Sequence, residues 1–238
     1  MAYKRVMLKL SGEVLAWDDG WGVDAKALTQ VVEQIKALVK KGVQVAVVVG
    51  GGNFWRYRDN AALSSAGLLS RSVSDTVGMM ATVMNARVLA EALQQKGVKA
   101  FALAAHGEGY FAQNYSPDLG KKLLAEKAVV ICAGGTGNPY FTTDTAAALR
   151  ALELECQVLM KGTKVEGVYD SDPTKNAKAK LFSTISYDEV LKRELKIMDL
   201  TSIVLCKENR LPVCVFNGRV KGNLLKAVTG KKLGTLIS

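Results

Sequence analysis

The chain has 238 residues, 49% of them hydrophobic and 23% charged; this allows a real core in one large domain or two small ones and argues against disorder as the main state. Its formal charge is +10, but the lysines are scattered, with short clusters only at Lys40-Lys41, Lys121-Lys122 and Lys231-Lys232 and no arginine-rich arm, so nucleic acid is disfavoured as the main partner and a small polyanionic substrate suits the field. One histidine, His106, and four cysteines (Cys132, Cys156, Cys206, Cys214) without a C-x-x-C pair argue against a structural zinc site and a histidine-based triad, and "VVICAGG" and "PVCVFN" read as buried free thiols.

Val6 to Leu10 predicts a strand. From Asp24, Leu28, Val31, Val32, Ile35, Leu38 and Val39 recur at helical spacing until Gly42. Val43 to Val49 is a near-continuous apolar run, the mark of a strand covered on both faces in a parallel sheet. The alternation continues with a helix over 74–97, a strand over 98–105, a short helix near Leu119 to Glu126, a strand over 128–134, a helix over 143–155 and a strand over 156–161. A long turn-rich loop over 162–182 follows, then helices at Tyr187 to Arg193 and Leu200 to Glu208, a strand over 211–217 and a helix at Leu224 to Val228. Strand and helix alternate from end to end, which predicts an α/β protein with a mostly parallel sheet. No apolar run reaches the length of a membrane span, and "MAYKRVMLKLSGE" lacks a signal peptide's long apolar stretch, so a soluble cytoplasmic protein is expected.

In such sheets ligands sit beyond the carboxyl ends of the strands. Glycine-rich turns follow three apolar strands: "KLSGE" (Lys9 to Glu13), "VVVGGGN" (Val47 to Asn53) and "CAGGTGNPYFTTD" (Cys132 to Asp144). Tight turns explain any one of them; three at equivalent strand ends, two with a nearby Lys or Arg, favour phosphate. No G-x-x-x-x-G-K-[ST] occurs, and Trp55 breaks a dinucleotide fingerprint. Lys9 is either a snorkelling surface lysine or a cation on a transferring phosphoryl group, and its place before Ser11-Gly12 favours the second. Asp75, behind Ser72 and Ser74, reads as a helix cap or as an acceptor for sugar hydroxyls; Asp144 has the same two readings. Thr136, Asn138, Thr142 and Thr143 form a row of small donors and acceptors suited to a planar base. Asp199 reads as an N-cap. Asp170 and Asp172 lack the rest of a metal loop, and Trp17, Trp21 and Trp55 suit loop packing better than base stacking.

Taken in order, "KLSGE", "VVVGGGNFWR", "SDTVGMMATVMN", "AGGTGNPYFTTD", "KGTKVEGVYDSDP", "LKIMDLTS", Phe216-Asn217 and "GTLIS" resemble the bacterial uridylate kinases of the amino-acid kinase family over nearly the whole chain. The resemblance implies one amino-acid kinase domain over 1–238, a three-layer αβα sandwich, and transfer of a phosphoryl group from MgATP to UMP, giving ADP and UDP in pyrimidine nucleotide synthesis. It implies a catalytic set of Lys9, Arg56 and Asp199, the last orienting the lysine. For ATP it implies Lys9, Leu10, Ser11, Gly12, Gly52, Arg56, Thr163, Tyr169 and Asp172. For UMP it implies Gly51, Asp75, Thr136, Gly137, Asn138, Pro139, Tyr140, Phe141, Thr142 and Thr143. Mg2+ would be held through the nucleotide phosphates, with no protein metal ligand. Relatives are hexamers, many activated by GTP and inhibited by UTP, and "WDDGWGVD" (17–24) resembles the effector-loop region. Departures are Glu166, Asn176-Ala177, "FNGRVKGN" and the longer "RYRDNAALSSAG" segment before Asp75, which bears on lid behaviour.

Two rival readings remain: another enzyme of the same fold acting on a carboxylate or carbamate, and a regulatory module that binds uridine nucleotides and touches DNA through its basic surface. The nucleotide-suited "GTGNPYFTTD" and Asp75 speak against the first, and the scattered charge speaks against the second.

Overall fold

The computed structural model describes residues 3–17, 19–106, 109–176 and 178–238; Asp18 of the 17–24 stretch and Ala177 of the long loop lie outside them. The strands are β1 (Arg5–Leu10), β2 (Gln44–Val49), β3 (Ala100–Ala104), β4 (Gln113–Asn114), β5 (Val129–Ala133), β6 (Leu159–Thr163), β7 (Thr184–Ile185), β8 (Val213–Asn217) and β9 (Thr235–Ile237). The helices are α1 (Ala25–Lys40), α2 (Ala61–Ser65), α3 (Arg71–Gln95), α4 (Pro117–Ala125), α5 (Thr143–Glu153), α6 (Tyr187–Lys192), α7 (Leu200–Glu208) and α8 (Asn223–Val228).

The apolar run on β2 explains the layers. Val45, Val47 and Val49 face one side, where they join Val32, Ile35 and Leu38 of α1 and Leu89 and Leu93 of α3. Ala46 and Val48 face the other, where they join Leu124 of α4, Ala147 and Ala151 of α5 and Ile203 of α7. Successive side chains of a strand point to opposite faces, so a run that is apolar at every position demands cover on both sides. Each fully buried aliphatic side chain contributes about 1.5–3 kcal/mol, and the result is the expected three-layer αβα sandwich.

Across the described residues the sheet runs β4-β3-β5-β2-β1-β6-β8-β9-β7. Every neighbouring pair is parallel except β8 with β9. The carboxyl ends of β5, β2, β1 and β6 therefore open at one edge. The register places Lys9 beside Val48 on one side and beside Lys161 on the other.

Local chemistry sets the helix starts. Asp24, Ser70, Ser116, Thr142, Ser186 and Asp199 each accept an N–H from the first turn of α1, α3, α4, α5, α6 and α7. The cap at Ser116, with Pro117 in the first turn, starts α4 before the expected Leu119. Strands β4, β7 and β9 and helix α2 were not expected; segments of two to five residues carry too little periodicity to read. Strand β9 is fixed instead by tertiary contact: buried Thr235 donates to the Phe182 carbonyl and accepts the Val168 N–H.

Candidate active site

The Ser11-Gly12 turn and the glycine run after β2 touch each other before any ligand is considered. Gly50 N–H donates to the Leu10 carbonyl at 2.9 Å. A Cβ on Gly12 would collide with Asn53 Oδ1 and lie 2.7 Å from the Gly50 carbonyl. One on Gly51 would lie 2.7 Å from the Gly78 carbonyl and 2.8 Å from Ala81 Cβ on α3. Close approach of loop to loop and of loop to helix therefore requires these glycines, quite apart from phosphate. A buried amide pair locks the arrangement: Asn85 donates to Asn53 Oδ1 at 2.7 Å and to the Gly50 carbonyl at 2.7 Å, while Asn53 donates to the Gly22 carbonyl at 2.7 Å.

Below these turns lies a buried charge cluster. Lys9 Nζ is 3.0 Å from Asp144 Oδ1, and Lys161 Nζ is 2.7 Å from Asp144 Oδ2. Lys161 also donates to the Ile197 carbonyl at 2.6 Å. The side chains of Lys9, Lys161 and Asp144 are only 11%, 12% and 16% exposed. Burial pushes the Asp144 carboxyl upward, but Lys9 and Lys161 outweigh it and hold the group below its ordinary value. Burial and the neighbouring Lys9 charge lower Lys161, against the opposing pull of Asp144. Asp144 is shared between the two lysines, with Asp199 also acting on Lys161; paired lysines near the carboxyl ends of β1 and β6 can stabilise a phosphoryl group in transfer.

The sequence resemblance made Asp199 the residue that orients Lys9. In the structure the ion pair with Lys9 belongs to Asp144. Asp199 caps α7 through the Ser202 N–H at 3.0 Å and accepts the hydroxyls of Thr142 and Thr145, so it fixes the start of α5, on which Asp144 sits. Arg56 donates to the Gly52 carbonyl and to Glu13 Oε1, both at 2.6 Å, and Lys164 meets the other Glu13 oxygen at 3.0 Å. Glu13 thus joins the ends of β1, β2 and β6.

One cavity of about 430 Å3 brings together Lys9, Ser11, Gly12, Gly51, Gly52, Arg56, Asp75, Thr136, Phe141, Thr142 and Thr143. Gly137, Asn138, Pro139 and Tyr140 do not line it; they form the outer part of the same loop, where His106 Nε2 lies 2.9 Å from the Gly137 carbonyl. Thr163, Tyr169 and Asp172 line a second cavity of about 570 Å3 with Leu195 and Val215. Asp172 there accepts the Thr174 hydroxyl at 2.7 Å and its N–H at 2.9 Å, bonds that hold the carboxyl below its ordinary value. The Leu10 side chain faces the α1 side of the sheet, so only its backbone borders the phosphate turn.

Sequence reasoning missed Lys161, Arg71 and Glu13 as site residues and left the role of Asp144 open. Lys161 carried the same signal as Lys9, a lysine closing an apolar strand, and the two are register neighbours. Arg71 and Glu13 carried none, since isolated charges beside turns are common. Among the described residues, no group of three or more His, Cys, Asp or Glu is placed to hold a metal, and no helix is long and apolar enough to cross a membrane.

An αβα sandwich whose parallel strands carry glycine turns, paired lysines and two cavities fits a phosphotransferase of the amino acid kinase type, and residues 4–217 match that family: the chain belongs to it. Within the family it belongs with the uridylate kinases. It is 45% identical over 236 residues to a uridylate kinase of Bacteroides thetaiotaomicron, covering 99% of this chain and 98% of that one. The crystal structure of UMP kinase from Bacillus anthracis superposes with a TM-score of 0.95 at 30% identity, covering 100% of this chain and 97% of that chain. UMP kinase from Ureaplasma parvum gives 0.91 at 35% identity, covering all of both chains.

Proposed function

We propose that this chain, acting as one domain over 1–238, transfers the γ-phosphoryl group of ATP to the phosphate of UMP, giving ADP and UDP for pyrimidine nucleotide synthesis. The observation that carries the reading is that Lys9 of the Lys9–Asp144–Lys161 cluster lines the glycine-lined cavity, while Ile197, whose carbonyl accepts from Lys161, lines the second. The cavity at Thr163, Tyr169 and Asp172 takes the adenosine. The ATP phosphates run toward Lys9, Ser11, Gly12, Gly52 and Arg56. The glycine-lined cavity takes the acceptor, with its phosphate at Gly51 and Thr143, its ribose on Asp75 and its uracil along Thr136 to Thr142.

The attacking oxygen belongs to a phosphate already ionised at neutral pH, so no general base is required; positioning and charge neutralisation do the work. Lys9 and Lys161 stabilise the transferring group, Asp144 sets their spacing, and Asp199 holds the start of α5. The donors around the glycine turns are backbone N–H groups and cations, which fits a polyanion that brings Mg2+ with it, held by phosphates and water. When bound, that ion would supply charge neutralisation to the ATP phosphates.

The same reading includes a cytoplasmic homohexamer activated by GTP and inhibited by UTP. Exposed Val73, Met80, Met84 and Val88 along α3 give an apolar stripe suited to self-association. The test is ADP release with MgATP against UMP, CMP, AMP, GMP, TMP, glutamate, aspartate and carbamate. Strong preference for UMP is expected. Turnover of an acidic metabolite in its place overturns the acceptor assignment, and salt-sensitive DNA retention without turnover overturns the enzymatic reading.

A further inference from the structure

The Asp75 carboxylate holds donors from two different elements. Arg71, one helical turn back on α3, places Nε 2.9 Å from both Oδ1 and Oδ2. Tyr140, on the loop after β5, donates its N–H to Oδ2 at 2.8 Å. Tyr140 sits at φ +71°, a left-handed backbone disfavoured for a residue with a Cβ, so this N–H is turned toward Asp75 against local preference. A carboxylate offers about four acceptor sites; these donors fix its plane and leave sites for sugar hydroxyls.

Arg71 has a second contact. Its Cζ lies 4.4 Å from the centroid of the Tyr57 ring, and both residues line the acceptor cavity. Tyr57 opens the segment that leads to α2. That segment rises into α2, which buries no residue, and leaves Leu63 and Leu68 39% and 75% exposed. The arm therefore has no core of its own, and the Arg71–Tyr57 stack joins it to the acceptor cavity alongside the Asn60 amide bond to the Arg56 carbonyl at 2.9 Å.

We propose that Arg71 is a positioning residue for the acceptor: it fixes the Asp75 carboxylate for the ribose hydroxyls and, through Tyr57, couples placement of the 57–67 arm to acceptor binding. The inference rests on the assignment of the ribose to Asp75 given above. Arg71 compensates the charge of a carboxylate that is only 15% exposed, so its loss leaves Asp75 both mobile and uncompensated.

The experiment is steady-state kinetics of Arg71→Gln, Arg71→Lys, Tyr57→Ala and the Arg71→Gln/Tyr57→Ala double variant with MgATP and either UMP or 2′-deoxyUMP. Arg71→Gln is expected to raise the UMP KM about tenfold, to hold the ATP KM within about twofold, and to narrow the preference for UMP over 2′-deoxyUMP. Arg71→Lys, which keeps the charge and loses the flat stack, is expected between Arg71→Gln and the unaltered protein, and carries the test should Arg71→Gln fail to fold. Tyr57→Ala is expected to raise the UMP KM about threefold, with the double variant no worse than Arg71→Gln alone, the mark of coupled residues. An unchanged UMP KM and selectivity in Arg71→Gln, an equal rise in both substrates' KM, or additive effects of the two positions overturns the inference while leaving the proposed function standing. No turnover of UMP by the unaltered protein overturns both.

Discussion

The two halves of the candidate site are built differently. The proposed transfer centre sits on strands: Lys9 and Lys161 are register neighbours on β1 and β6, and Asp144 meets both from the start of α5. The acceptor side sits on a helix face and loops: Asp75 and Arg71 on α3, Tyr140 on the loop after β5, and Tyr57 at the foot of an arm without a core. Strand-borne charges are buried and fixed before any substrate arrives. The groups on the helix and loops are held by contacts among themselves, Arg71 and the Tyr140 N–H on Asp75 and Arg71 on the Tyr57 ring, rather than by the sheet. A site divided in this way separates turnover from acceptor binding, and substitutions should report the division.

The largest effect is expected from Asp144→Asn. Leaving two lysines face to face without their anion should destabilise the fold by about 3–5 kcal/mol, as expected when one partner of a buried pair is removed. It should also cut kcat by roughly 10²–10³-fold. Asp144 raises Lys161, so its removal should make Lys161 lose its proton at lower pH and move the alkaline limb of kcat downward; thermal melts and a kcat–pH profile check both. In the unaltered protein the depressed Asp144 pKa contributes stability above the ordinary carboxylate range, and that stability should disappear only as acid titrates the folded-state group. An unshifted alkaline limb in Asp144→Asn would remove Lys161 from the transfer centre.

Gly51→Ala comes next. Its Cβ would press on the backbone of α3 at Gly78 and Thr82, so a loss of about 1–3 kcal/mol from overpacking is expected by chemical denaturation. The KM values of both substrates should rise, because the proposed function places phosphates of both on this loop, at Gly51 and Gly52. A stable variant that lost only phosphate affinity would show that the glycine is required by ligand rather than by packing. The most selective effect is expected from Asp75→Asn: a rise of roughly tenfold in the UMP KM with kcat and the ATP KM near the unaltered values. A fall in kcat alone would break the proposed separation.

The sheet core was legible in the sequence because its signal is redundant. Val43 to Val49 is apolar at every position, α1 repeats its apolar residues at helical spacing, and both patterns are read without partners. Strand β9 was not, since Thr235 belongs there through contacts with Val168 and Phe182, far away in sequence. In the candidate site, the glycine turns after strands, read from the sequence, line one cavity in the fold. For the glycines the sequence offered tight turns or phosphate, whereas the approach of α3 to Gly51 exists only once the chain is folded. The partner of Lys9 was also beyond pattern reading. Asp144 and Asp199 both precede apolar helices and look alike locally, and only the meeting of α5 with β1 and β6 decides which one the lysines reach.

The role proposed for Lys9 is stabilisation of the group in transfer, not ground-state binding. Its most direct test is the turnover of Lys9→Met at saturating MgATP and UMP, with both KM values and the melting temperature measured on the same preparation. A fall in kcat of roughly 10²–10³-fold, with both KM values and the fold near those of the unaltered protein, is predicted. A folded variant with near-normal kcat, or one whose loss lies entirely in KM, would contradict the account.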